Sequence, residues 1–217
     1  MRNQFDRELA RLSSELMEMG ALIEDAITNA VGALAPDGTA SAKRAMELEE
    51  QIDETERDIE RRCLRLLLQQ QPVARDLRAI STALKMITDM ERIGDQARDI
   101  SEIALTLPRG GALELEHIPR MAEATIHMVK GAIDAFIARD EARANEVIAY
   151  DDVVDRLFSR VRDEIAALLR RERESSETAI DFLMIAKYFE RIGDHAVNIA
   201  EWVVFSITGT HKSAKIV

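Results

Sequence analysis

The sequence predicts an all-α fold: two tandem three-helix bundles, six long antiparallel helices in all, related by internal duplication. Three observations predict it. Aromatic residues are only 4% of the 217 positions, prolines number four and glycines nine, while charged residues reach 32%. Such a composition suits long helices and disfavours a β-sandwich, a disulfide scaffold or a disordered tail. Apolar residues recur at three- and four-residue spacing between widely separated breakers. The pentapeptide Glu-Arg-Ile-Gly-Asp occurs twice, at 91–95 and 190–194.

The elements follow in order. Leu9, Leu12, Leu16, Met19, Ile23, Ala26 and Ala30 form one helical stripe, which ends before the turn signal Pro36-Asp37-Gly38. Leu48, Ile52, Ile59, Cys63 and Leu66 form the next. It stops at Gln71-Pro72, because the residue before a proline is pushed out of the α region. The third run carries Ile80, Leu84 and Ile87 plus a second set, Met86, Ile93, Ala97, Ile100 and Ala104. Leu107-Pro108-Arg109-Gly110-Gly111 is the strongest interruption and lies at mid-chain. The second half repeats the arrangement over 118–138, 141–170 and 176–208. Pro119 sits where a helix start tolerates proline, and Arg139-Asp140 and Ser175-Ser176 are softer breaks with good caps. Helices of about 30 residues are about 45 Å long and need partners. The expected domains are residues 1–107 and 117–210, joined through 107–116.

The duplication is visible beyond the pentapeptide. At an offset of 99, Leu84 aligns with Leu183, Ala97 with Ala196, Ile100 with Ile199 and Glu102 with Glu201. Upstream, Glu49-Glu50-Gln51-Ile52-Asp53 resembles Asp151-Asp152-Val153-Val154-Asp155 at an offset of 102. The three-residue difference fits one shortened connection.

Composition also narrows function. The net charge is −11, and no basic cluster is long enough to follow a phosphate backbone, so nucleic acid is not expected as a partner. The lone Cys63 cannot form an internal disulfide, which fits a reducing compartment. The N-terminus is charged from its second residue, unlike a signal peptide. No apolar window is long enough for a transmembrane helix. There is no glycine-rich phosphate loop, no G-x-S-x-G and no paired nucleophile and base, so no catalytic centre is expected.

The acidic residues carry the chemistry. Positions i and i+4 are neighbours on a helix, so two carboxylates there repel unless a cation sits between them. Each half has two such pairs: Glu49/Asp53 and Glu91/Asp95, then Asp151/Asp155 and Glu190/Asp194. Asp99 extends the first row by a turn, and Asn198 is its counterpart. The acids continue a row that begins as apolar packing, Ile80-Leu84-Ile87 in one half and Ala179-Leu183-Ala186 in the other. Gly94 and Gly193 lie inside the repeated motifs, each at a cost of about 1 kcal/mol relative to alanine. Facing pairs of this kind offer oxygen ligands suited to Mg²⁺, Ca²⁺, Mn²⁺ or iron. The competing reading is a solvated acidic face. His195 follows Asp194 and points about 100° away around the helix; His117, His127 and His211 have no ligand spacing of their own. Arg57, Arg61 and Arg65 read as a salt-bridged surface. Arg75-Asp76-x-Arg78 opens the third helix with two arginines free for an anion or a partner.

These residues resemble the PhoU family of phosphate-specific transport system accessory proteins. The most specific stretches are QQPVARDLR at 70–78, ALKMITDMERIGDQARDI at 83–100 and ERIGDHAVNIAE at 190–201. The resemblance implies two three-helix bundles and metal ions held by the E/D-x-x-x-D pairs. The expected ligands are Glu49, Asp53, Glu91, Asp95, Asp99, Asp151, Asp155, Glu190, Asp194 and Asn198. The ions expected there are divalent or ferric: iron, manganese, magnesium or zinc. It further implies a cytoplasmic, homodimeric, non-enzymatic regulator that links the ATPase subunit of the phosphate ABC transporter to a sensor histidine kinase. Its role would be negative regulation of the phosphate-starvation response and of phosphate uptake, with membrane contact only through partners. Arg75 and Arg78 are candidates for docking. Two alternatives stand beside this: an all-α, Mg²⁺-dependent NTP pyrophosphohydrolase, whose acids are spaced E-x-x-E and E-x-x-D, and a structural bundle that binds no specific metal.

Overall fold

The structure is a computed structural model that describes residues 2–70, 74–108, 116–171, 176–211 and 214–215. Six helices account for nearly all of it: α1 Arg2–Gly32, α2 Thr39–Gln70, α3 Ala74–Thr106, α4 His117–Ala138, α5 Glu141–Arg171 and α6 Ser176–Thr208. The all-α class is as the sequence predicts. One small addition is a two-residue antiparallel ladder after α6, pairing β1 Thr210–His211 with β2 Ala214–Lys215. His211 stacks there on Trp202, ring centroids 4.0 Å apart.

The breakers act by recognisable means. The Gly38 N–H donates to Ala35 O at 2.9 Å, closing the α1–α2 turn. A Cβ at Gly38 would lie 2.4 Å from Ala33 O, so only glycine fits. At the end of α4, Arg139 takes the left-handed conformation (φ 55°), and Asp140 N–H reaches back to Ala135 O at 2.9 Å. Asp140 then starts α5, its Oδ1 accepting the Arg143 N–H at 3.0 Å. The Gln71-Pro72 break, Ser175 and the linker at 109–115 fall outside the described residues.

Cross-helix contacts fix the directions. Arg62 on α2 meets Glu8 and Glu15 on α1, while Ser41 lies beside Gly32, so α1 and α2 are antiparallel. Arg98 meets Glu49 and Gly94 faces Ile52, which sets α3 antiparallel to α2. His117 with Glu164 and Asp134 with Arg143 do the same for α4 and α5. Val154 beside Gly193 and Phe158 under Lys187 do so for α5 and α6. The halves also pack on each other: α3 runs along α6, with Thr82 Oγ1 donating to Trp202 O at 3.3 Å, and α1 crosses α4 where Gly20 faces Ile133. One apolar cluster runs through all six helices.

Burial repeats with the sequence. At the offset of 102, Leu16 and Ile118, Met19 and Met121, Ile52 and Val154, and Cys63 and Ile165 are all buried. At the offset of 99, Met90 and Phe189, Ile93 and Ile192, and Ile100 and Ile199 are buried. Among the described residues, no helix is long and apolar enough to cross a membrane.

Candidate functional site

The first acidic cluster lies between α2 and α3. Glu49 is only 8% exposed, and burial raises its carboxyl above the usual range; Asp53 and Asp95 add to this while Arg98 opposes it. Burial likewise raises Glu91, with Asp95, Glu56 and Asp53 contributing and Arg92 opposing. Three arginines hem the cluster. Arg57 pairs with Asp53 at 3.0 Å, Arg92 with Asp95 at 2.9 Å and Glu91 at 3.4 Å, and Arg98 with Glu49 at 3.4 Å and Glu102 at 2.9 Å. Glu56, one heptad beyond Glu49, also joins; burial and then Glu60 and Asp53 raise its carboxyl. The sequence reading missed Glu56 because it belongs to no repeated pair, although its seven-residue spacing from Glu49 places it on the same face.

The second cluster lies between α5 and α6. Asp151 is pushed up to about 6, first by burial and then by Asp155, Asp194, Asp152 and Glu190. None of the main influences on it is a cation. Asp194 is raised by burial and Glu190, against Lys187 and His195. Lys187 pairs with Glu190, and its ammonium also lies over the Phe158 ring at 5.7 Å. Phe158 occupies the position equivalent to Glu56, so the second cluster has fewer acids. Among the described residues it also has less basic compensation, Lys187 and then His195 where the first has three arginines.

The two glycines differ. A Cβ on Gly94 would sit 3.1 and 3.2 Å from Ile52 carbons, a tight approach of two helices. On Gly193 it would sit 3.4 Å from Val154 Cγ1 and 3.5 Å from Asp151 Oδ1, in ordinary contact. One of the two tight contacts is to the terminal Cδ1 of Ile52, an atom that Val154 lacks, and the other is to Ile52 Cγ2.

The outer members of each row turn to the α3–α6 seam. Asp99 is raised by burial and by Glu102 and Asp95, and it accepts a hydrogen bond from Tyr188, whose phenol is raised by burial and by Asp99. Asn198 Nδ2 donates to Asp89 Oδ1 at 3.3 Å, and His195 Nδ1 lies 2.8 Å from the same oxygen. Asp89 and Tyr188 are repeat equivalents, as are Asp99 and Asn198, so the two contacts are mates across the internal two-fold. Asn198 is thus engaged by α3, which the sequence alone did not reveal. Asp53, Asp95, Asp155 and Glu190 stand where the pairs place them, on facing helices.

Oxygen donors on successive turns of two facing helices, which raise one another's proton affinity and draw on no thiolate, have the chemistry that a hard or borderline cation takes, but among the described residues these acids do not bring three donor atoms within 4.8 Å of one another. A separate group, Glu116, His117 and Glu164, brings donor atoms within 4.8 Å of one another at the other end of the second half. Sequence spacing concealed it, since His117 and Glu164 meet only through the α4–α5 register. At the docking candidates, the side chain of Arg75 is outside the described residues. Arg78 is half-buried, with Nε sealed and unpartnered. Leu77 between them is exposed.

Comparison with known proteins agrees with this architecture. The family model described as the PhoU domain matches twice, at 16–104 and 118–203. A Pseudomonas putida protein named as a phosphate-specific transport system accessory protein PhoU homolog is 36% identical over 213 residues, 95% of this chain and 82% of that protein. A Thermotoga maritima protein named as phosphate-specific transport system accessory protein PhoU homolog 1 is 32% identical over 94% of this chain and 89% of its own. The crystal structure of PhoU from Pseudomonas aeruginosa is similar with a TM-score of 0.85 at 35% identity, covering 95% of this chain and 100% of that one. The phosphate transport system regulatory protein PhoU from Streptococcus pneumoniae gives 0.87 at 27% identity, over 95% and 98%. With two matched domains, relatives along nearly its whole length and the same six-helix fold, the chain belongs to the PhoU family of phosphate transport accessory proteins.

Proposed function

We propose that this protein is a metal-binding regulatory adaptor, not an enzyme, that reports the state of the phosphate ABC transporter to a sensor histidine kinase and keeps the phosphate-starvation response and phosphate uptake down. The observation that carries the reading is the duplicated carboxylate cluster in a PhoU-family fold, with Asp151 raised to about 6 by its acidic neighbours. The Pseudomonas relatives are named as transport accessory proteins, which supports a regulatory role over turnover.

Glu49, Asp53, Glu91, Asp95 and Asp99 would hold one ion or ion cluster, and Asp151, Asp155, Glu190 and Asp194 the other, with Asn198 beside it. Bound cations would neutralise mutually repelling carboxylates and brace α2 against α3 and α5 against α6. The functional units are residues 1–107 and 117–210, acting in the cytoplasm as a homodimer. The transporter's ATPase subunit and the kinase are the partners. Arg75 and Arg78, flanking exposed Leu77, form part of a docking face at the start of α3.

A binding assay with purified components tests the adaptor role. The chain should bind the ATPase subunit and the kinase sensor region, and Arg78→Ala should weaken one of them several-fold while circular dichroism stays unchanged. Absence of binding to both partners would remove the adaptor reading. An intact Arg78→Ala interaction would remove only that arginine from the face.

A further inference from the structure

We infer that Glu116, His117 and Glu164 form a third cation site, for a first-row transition-metal ion, separate from the repeated carboxylate clusters and independent of the adaptor role. The internal repeat supplies the key comparison. At the offset of 102 that superimposes the buried positions of α1 and α2 on those of α4 and α5, Glu15 corresponds to His117 and Arg62 to Glu164. In the first half this spot is closed by a cation of the chain's own. Arg62, its side chain 14% exposed, donates to Glu15 at 2.5 and 2.6 Å and to Glu8 at 2.7 Å.

In the second half the guanidinium is replaced by a carboxylate and its main acidic partner by an imidazole. His117 Nδ1 lies 2.5 Å from Glu164 Oε1, and Glu116 brings a third donor within 4.8 Å. Glu164 Oε2 is sealed from solvent and has no hydrogen-bond partner. A buried carboxylate oxygen is seldom left so. The second half thus keeps a converging anionic pocket at the place where the first half keeps a cation, and it lacks a basic residue at that position. Glu116 is exposed and its Oε1 also accepts from Arg120 at 2.6 Å, so it is the most adjustable of the three.

The donor set separates this site from the others. One imidazole and two carboxylates suit Zn²⁺, Fe²⁺, Mn²⁺ or Co²⁺ better than Ca²⁺ or Mg²⁺. Glu164 is nine residues beyond Asp155 on α5, about 14 Å along the helix, too far to share an ion with the Asp151 cluster. Among the described residues the arrangement occurs once.

Co²⁺ is the probe. The chelator-stripped full-length chain is titrated with Co²⁺ and followed by bound equivalents and by proton NMR for a hyperfine-shifted, exchangeable imidazole N–H. The expected result is such a resonance, lost in His117→Gln and retained in the Asp151→Asn/Asp194→Asn variant. A charge-swapped double variant, His117→Glu with Glu164→Arg, rebuilds the Glu15–Arg62 pair of the first half. It should fold as the wild type does and bind one equivalent fewer. If the wild type shows no shifted imidazole N–H, or the charge-swapped variant binds as many equivalents as the wild type, the site is an ion pair closed by a proton and the proposal fails.

Discussion

Asp151 concentrates the electrostatic problem in one side chain. Burial and four neighbouring acids raise it from an ordinary 3.8 to about 6. The folded state therefore binds this proton more tightly than the unfolded chain, so in the absence of metal stability should fall as pH rises from about 4 through 6 and stay low above that. Glu49, Glu56, Glu91, Asp99 and Asp194 are shifted in the same direction and reinforce the trend. Chelator-treated protein should melt at a higher temperature at pH 5 than at pH 7. Asp151→Asn should raise the melting temperature at pH 7 by about 2–4 °C, as expected for about 1 kcal/mol in a chain of this size, and should flatten the pH profile. A melting temperature that drops on mild acidification would show that the acids are not in conflict.

At the scale of the helices, the two repeated motifs are alike in sequence but not in packing. Alanine gains about 1 kcal/mol over glycine in a helix interior. At Gly193, where a Cβ meets ordinary contacts, Gly193→Ala should stabilise metal-free protein by up to about 1 kcal/mol. At Gly94 the Ile52 side chain must give way, so Gly94→Ala should be near neutral. Thermal unfolding of the two variants checks this; equal gains at both positions would contradict the packing difference. This contrast was not legible in the sequence, where both glycines sit in the same pentapeptide. The helices and the four acid pairs were legible, because a 3.6-residue period needs only local information. The Asn198–Asp89 contact and the His117–Glu164 pair were not, since each depends on the register of one helix against another, and Glu56 escaped because it belongs to no repeated pair. The ladder after α6 follows a glycine at φ 78°, and its two-residue strands are too short to show a period-2 pattern.

Over the whole molecule, duplication has produced two clusters of unequal balance, one hemmed by Arg57, Arg92 and Arg98 and the other served by Lys187 and His195. The less compensated cluster, around Asp151, should take up cations first. Glu91→Ala/Asp95→Ala should empty the first cluster and leave the second filled, as counted by elemental analysis of metal-loaded protein. Metal content identical to the wild type would remove the first cluster from the assignment. Loaded wild type should also melt higher than stripped protein, because a ligand that binds only the folded state stabilises it.

The halves join along α3 and α6, where Tyr188 holds Asp99 and Asp89 holds Asn198 and His195. Each cluster is thereby tied to the opposite half, an arrangement suited to a body that signals as a unit. Deletion of the gene in its native cell, read through a phosphate-starvation reporter during growth in abundant phosphate, tests the regulatory role most directly. The account predicts that the reporter switches on without starvation and is silenced again by the wild-type gene supplied in trans. A reporter that stays off in the deletion strain, with no second copy of the gene present, would contradict it.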